Sequence, residues 1–224
     1  MAIDLEKKLE KGQRINLEKS DGSKLTDFCV GVNWGAIEIS SGFLGFGQKT
    51  IDVDLDLSCV LIDNNNKMCD HVYSPLYKTE FLRRYGMPNG KLDTADRALH
   101  HSGDDRAGDK DDDDGLDNEI ITVNLPKVNS NVAQIFFFLN SVGKEDFSQI
   151  PYSKIRMYEG TPTNVKAVFA SYNVSAESQY AGKRAVIMGK LYRKNGEWKF
   201  HAIGDPTDDR DLCETIARIL KSYL

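Results

Sequence analysis

Between Ile51 and Ile62 apolar residues first alternate with acids, Val53, Leu55 and Leu57 interleaving Asp52, Asp54 and Asp56, and then run unbroken through Cys59-Val-Leu-Ile62. A period of two predicts a strand with the three leucine and valine side chains on the core face and the three carboxylates on the opposite one. Further strands are predicted at Ile120 to Leu125, Ala133 to Asn140, Lys154 to Tyr158 and Ala167 to Val174. Ala185 to Arg193 and Trp198 to Ile203 flank Lys194-Asn-Gly-Glu197, and Asn-Gly between two strand-like runs is a strong hairpin signal because both residues tolerate positive φ. Arg14 to Lys19 and Asp27 to Trp34, joined by Ser20-Asp-Gly-Ser23, read as a second hairpin. Helical spacing appears in two places: Thr79 to Arg84, and Asp208 to Ser222, where Leu212, Ile216, Ile219 and Leu220 share a face and Asp208 or Asp209 would cap the start.

Many short strands followed by one helix argue against alternating βαβ units and for a mainly all-β fold: a two-sheet antiparallel β-sandwich with a C-terminal helix, about 208–223, and a short helical insertion within about 75–100. A chain of 224 residues, 40% hydrophobic, suits one such domain over residues 1–224. The opening residues, MAIDLEKKLEKGQ, carry charges throughout and form no secretory apolar region, and no apolar run reaches membrane-spanning length. A cytoplasmic location is expected. Cys29, Cys59, Cys69 and Cys213 are scattered without a C-x-x-C pair, so buried free thiols are expected rather than a zinc site or disulfide.

The formal net charge of −5 conceals an uneven distribution. Residues 103–119 hold nine acids against Arg106 and Lys110, a net of −7, while the rest of the chain carries 27 basic and 25 acidic residues. That balance leaves no basic field for nucleic acid. Packing Asp104, Asp105, Asp109, Asp111, Asp112, Asp113, Asp114, Asp117 and Glu119 into one loop incurs repulsion that a hard divalent cation offsets: calcium takes six to eight oxygen ligands in irregular geometry, whereas magnesium demands an octahedron. Gly103, Gly108 and Gly115 supply bends. The competing reading is a solvated acidic loop. An EF-hand fails, since aligning Gly115 with its invariant glycine puts Lys110 at the first ligand position and Ile121 at the last.

Four patches, in order along nearly the whole chain, resemble the TerD family of tellurite-resistance and stress proteins: Val30-Gly-Val-Asn-Trp-Gly35, Val53-Asp-Leu-Asp-Leu-Ser58, Ser102 through Glu119 into Ile-Ile-Thr-Val, and Gly189-Lys-Leu-Tyr-Arg193 with Trp198-Lys-Phe-His-Ala-Ile-Gly204. The resemblance implies a calcium-binding β-sandwich whose ligands come from the D-L-D strand and the acidic loop. Carried onto this chain, these are Asp54, Asp56, Asp104, Asp109, Asp111, Asp113, Asp114 and Glu119, with Asp105 and Asp117 as further candidates, a supply sufficient for two calcium ions. Two departures stand out. Gly115-Leu-Asp-Asn118 is inserted relative to the commonest family loop, which leaves the choice among Asp113, Asp114, Asp117 and Asn118 open. The connection from Ser74 to His100 is long, and reads as a cover over the sandwich edge or as a partner surface.

Other chemistry finds little support. His71, His100 and His101 beside the acids would suit a metal-dependent hydrolase, but catalytic zinc and iron sites favour imidazole-rich shells. G-x-S-x-G, P-loop and H-E-x-x-H motifs are absent, and Gly42 to Gly47, with Phe43, Leu44 and Phe46, reads as an apolar loop tip rather than a phosphate cradle. Trp34 and Trp198 read as core residues. The expectation is a non-enzymatic, calcium-responsive protein with protein partners among other stress-response or tellurite-resistance proteins. The alternative is a scaffold with permanently bound calcium.

Overall fold

The computed structural model describes residues 11–19, 21–40, 48–110 and 113–224. In chain order the strands are β1 (Arg14–Asn16), β2 (Asp27–Trp34), β3 (Ile37–Ser40), β4 (Gln48–Ile51), β5 (Leu55–Asp63), β6 (Met68–Val72), β7 (Leu99–His101), β8 (Glu119–Asn124), β9 (Val132–Ser141), β10 (Ser153–Thr161), β11 (Asn164–Asn173), β12 (Ala185–Lys194) and β13 (Glu197–Thr207). Helix α1 (Thr79–Arg84) lies between β6 and β7, and α2 (Leu212–Ser222) follows β13. The loop tip expected at Gly42 to Gly47, and Asp111 and Asp112, lie outside the described residues.

Two antiparallel sheets dominate. The first has the order β1-β13-β12-β9-β5-β6, the second β11-β10-β2-β8-β7, and β3 and β4 form a separate hairpin. Odd-numbered residues of β5 (Leu55, Leu57, Cys59, Leu61) face Phe28, Val30, Val32 and Trp34 of β2 and Ile121 and Val123 of β8 in the main core between the sheets. Even-numbered residues of β5 and β9 (Val60, Ile62, Phe136, Phe138) point the other way and meet a third layer, in which Leu212, Ile216 and Ile219 of α2 pack beside Tyr73 and Leu82. The predicted core face of Val53, Leu55 and Leu57 holds, but the strand is shorter than expected: Ile51 ends β4, residues 52–54 lie between strands, and β5 begins at Leu55. Asp56 is nonetheless buried, because the segment after Tyr73 lies over its face of the sheet. Asn195 and Gly196 turn the β12–β13 hairpin with φ of 54° and 79°, the paired positive values that the Asn-Gly signal implied.

Several expectations need correction. The first two strands are not partners: β1 pairs with β13 in the first sheet and β2 with β8 and β10 in the second, and the two segments meet at a bridge from Glu18 to Lys24, flanked by the Leu25 amide donating to the Leu17 carbonyl, before the chain changes sheets. Helix α2 starts at Leu212 rather than near residue 208, because Asp211 caps it by accepting from the Glu214 amide. Asp209 is occupied instead by Arg218 and Thr207. The 74–100 connection covers the edge of the first sheet, as expected, where Lys91 bridges Tyr73 and Asn89 and Ala95 bond to His71 and Asp70 of the edge strand β6, and it also covers an outer face of that sheet through Tyr77, Phe81 and Leu82. Cys29, Cys59 and Cys213 are buried free thiols, whereas Cys69 is exposed on the edge strand β6. Trp34 is fully buried, but Trp198 is only partly so, lying under the Arg193 guanidinium, 4.3 Å from the ring centroid. Among the described residues, no helix is long and apolar enough to cross a membrane.

Candidate metal centre

The acidic loop leaves the second sheet at β7, crosses the open end of the sandwich and returns through β8. Main-chain bonds lay it along the end of β2 and the residues before β5: the amide of Asp109 donates to the Trp34 carbonyl, that of Ala36 to Asp109, that of Asn118 to Val32, and that of Val53 to Ala107. The Trp34 indole N–H completes the join by donating to the Val53 carbonyl at 2.7 Å. Gly108 makes this close approach possible. Its φ is 70°, and a Cβ there would stand 2.6 Å from the Trp34 ring.

Two groups of carboxylates result. In the first, Asp54, Asp56 and Asp104 each bring an oxygen within 4.8 Å of the others. Burial, followed by the like charges of Asp104 and Glu119, pushes the Asp54 carboxyl up to about 6. Asp56, 3% exposed, is pushed well above the usual carboxylate range by burial and then by Glu119, although the Tyr77 hydroxyl donates to it. Among the described residues Asp54 Oδ1 is buried without a hydrogen-bond partner, and the Arg106 Nε lies 3.8 Å from Oδ2. Asn140 stands opposite Asp56 on β9. Its amide donates to Thr215, and its buried Oδ1 also lacks a partner among the described residues. Repelling carboxylates beside two buried unpartnered oxygens form an all-oxygen donor set that fits a hard divalent cation.

The second group, Asp109, Asp113 and Asp114, is more exposed. Its oxygens are largely engaged: Asp109 accepts from the Asn118 amide and the Tyr152 hydroxyl, Asp113 from Asn33 and the Gly115 amide, and Asp114 from the Leu116 amide. These oxygens retain lone pairs for an ion, but neutral donors already satisfy part of their hydrogen-bonding capacity.

The other candidates are placed differently. Glu119, fully buried, accepts from the Leu57 amide at 2.8 Å and the Asp105 amide at 3.0 Å, tying the loop to β5. Asp105 accepts from the Ala107 and Gly108 amides and from Asn118, and so shapes the loop from within. Asp117 turns to the far side of the second sheet, pairing with Arg156 at 2.8 Å in space left by Gly31, where a Cβ would stand 2.1 Å from Oδ2. The two histidines do not converge. His101 is buried, its Nδ1 accepting from the Gly103 amide, which puts the hydrogen on Nε2 to donate to the Leu57 carbonyl. His100 is exposed against Asp93. Tyr77, Asn140, Asn33 and Tyr152 were not legible as site residues. Only Asn118 carried a signal, through its place in the loop insertion.

The family model described as "TerD domain" matches residues 5–218. The chain is similar to stress response protein SCP2 of Bacillus subtilis (strain 168), 32% identical with 94% of this chain and 97% of that protein covered. It is also similar to tellurium resistance protein TerZ of Serratia marcescens, 28% identical with 96% and 98% covered. Among solved structures, a homologue of telluride resistance protein (TerD) from Streptomyces coelicolor A3(2) shares the fold, with a TM-score of 0.58 at 14% identity over 82% of this chain and 91% of that one. With a family model spanning nearly its whole length, the chain belongs to the TerD family.

Proposed function

We propose that this protein is a calcium-binding member of the stress and tellurite-resistance response, without an enzymatic role of its own, that acts in the cytoplasm by presenting an ion-ordered acidic loop to protein partners. The observation that carries the reading is the first acidic group: three carboxylates from two distant segments meet around the buried, unpartnered Asp54 Oδ1. An ion there would join Asp104 of the loop to Asp54 and Asp56 at the start of β5, replacing repulsion by attraction to a shared charge. The more exposed Asp109, Asp113 and Asp114 would take a second, weaker ion. The stress and tellurium names belong to the relatives, and the family relation extends them to this chain.

A permanent structural ion is the second reading. It is favoured by the hydrogen bonds that Glu119 and Asp105 accept and that Asn118 both accepts and donates, which hold much of the loop in place through protein atoms alone. Affinity separates the readings: binding far tighter than cytoplasmic free calcium marks a staple, and binding near it marks a sensor. Calorimetric titration of chelator-treated protein with calcium, then magnesium, tests the site. The expected result is calcium binding well above magnesium, weakened by at least about tenfold in Asp54→Asn/Asp104→Asn. Asp113→Asn/Asp114→Asn should remove only the weaker event. Absence of calcium binding in the wild type would sink the proposal.

A further inference from the structure

Beside the first acidic group lies a cavity of about 630 Å³, a volume suited to a small organic molecule. Its acidic wall is Asp54, Asp56 and Asp104, and its apolar wall is Leu76, Tyr77, Phe81 and Val142. Leu76 and Val142 leave 60% and 43% of their surface exposed, so apolar area faces solvent beside the carboxylates. Asn140 also lines the cavity. It is 1% exposed, and its Oδ1 has no hydrogen-bond partner among the described residues. A buried carbonyl oxygen without a donor is an independent sign that something else completes the site.

The charge around the cavity indicates what that is. Asp54, Asp56, Asp104 and Asp211 against Lys78, Arg106 and Arg210 give a formal −1, which a divalent ion converts to +1. Arg210 is turned to Glu214, leaving Arg106, its Nε 3.8 Å from Asp54 Oδ2, as the guanidinium nearest the ion position. Three carboxylates binding through one oxygen each, with Asn140 Oδ1, supply about four of the six to eight ligands calcium takes, so places remain for water or for an anionic oxygen.

Resting on the calcium reading above, we propose that the cavity binds a small organic anion, a carboxylate or phosphate head on an apolar body. The head sits on the ion and against Arg106, and the body lies between Leu76, Phe81 and Val142. The ion thereby acts as a bridge, and ligand binding depends on it.

The test is calorimetric titration of the calcium-saturated full chain with phenylacetate, phenyl phosphate and, as a head without a body, inorganic phosphate. At least one aromatic anion should bind, and whichever does identifies the head. Inorganic phosphate, and either aromatic probe on chelated protein, should bind at least about tenfold more weakly. Val142→Trp, which fills the apolar side at an exposed position, should lose the probe while its calcium isotherm stays within about twofold of wild type. Calcium binding without saturable heat from either aromatic probe up to about 10 mM would overturn this inference and leave the calcium reading standing. Probe binding indifferent to calcium would overturn it as well. If calcium itself does not bind, the calcium reading falls first and this inference with it.

Discussion

Asp54 and Asp56 are separated by one leucine in sequence, and the fold drives both carboxyls up, Asp54 to about 6 and Asp56 well above the usual carboxylate range, because each loses water and faces like charge. In the unfolded chain both titrate near the ordinary aspartate value. Raised folded values mean that the metal-free native state holds protons the unfolded chain has released, so the Asp54 contribution to stability is full below about pH 4 and lost as pH rises through about 6. Chelator-treated protein should therefore melt at a lower temperature at pH 7 than at pH 5.5 by scanning calorimetry, and calcium should reduce the difference. Asp54→Asn should flatten the metal-free profile; a profile that keeps its slope would assign the effect to other groups. A second outcome at this scale concerns Gly108. Gly108→Ala places a methyl against Trp34 at a φ of 70°, and should destabilise the fold by about 2 kcal/mol or more, read from denaturant midpoints, while weakening calcium binding. Neither effect is visible in the sequence. The glycine is legible there as a bend, but its neighbour Trp34 lies more than seventy positions away.

At the scale of elements, periodicity is a good guide wherever apolar residues recur on one face of a strand or helix. The β5 alternation, the Asn-Gly hairpin and the α2 stripe all depend on nearest neighbours in sequence, and all three are present. Ends and partners were less legible. Asp208, Asp209 and Asp211 are equivalent as capping residues until Arg218 and Thr207 engage Asp209, which leaves Asp211 to accept from the Glu214 amide. Asp211→Ala should consequently cost about 1 kcal/mol, measured by urea denaturation, with little change in calcium affinity. The β1–β2 misreading has the same origin: turn chemistry at Asp21 and Gly22 favours reversal, but it does not specify whether the flanking strands stay in one sheet.

For the whole molecule, ligand linkage makes a quantitative prediction. Calcium that binds the native state at about 100 times its dissociation constant should stabilise it by about 2.7 kcal/mol. For a chain of this size that corresponds to a rise in melting temperature of about 5–10 °C. Magnesium at the same concentration should give much less. An equal rise in Asp54→Asn/Asp104→Asn would place the stabilising ion elsewhere.

The sequence by itself determined the class of fold, the position of most strands and the concentration of carboxylate in one loop, because these follow from hydrophobic period, turn residues and local composition. It also carried the family resemblance, and with it the pairing of the D-L-D strand with the loop. The tertiary structure decided the rest. It gathered Asp54, Asp56 and Asp104 at one point, sent Asp117 to Arg156 and Glu119 to the Leu57 and Asp105 amides, and brought Asn140 and Tyr77 to the first group. In a row of similar acids, the role of each is set by the donor or cation that reaches it first. Those partners come from strands and loops distant in sequence, whose side chains meet only when the sheets have packed.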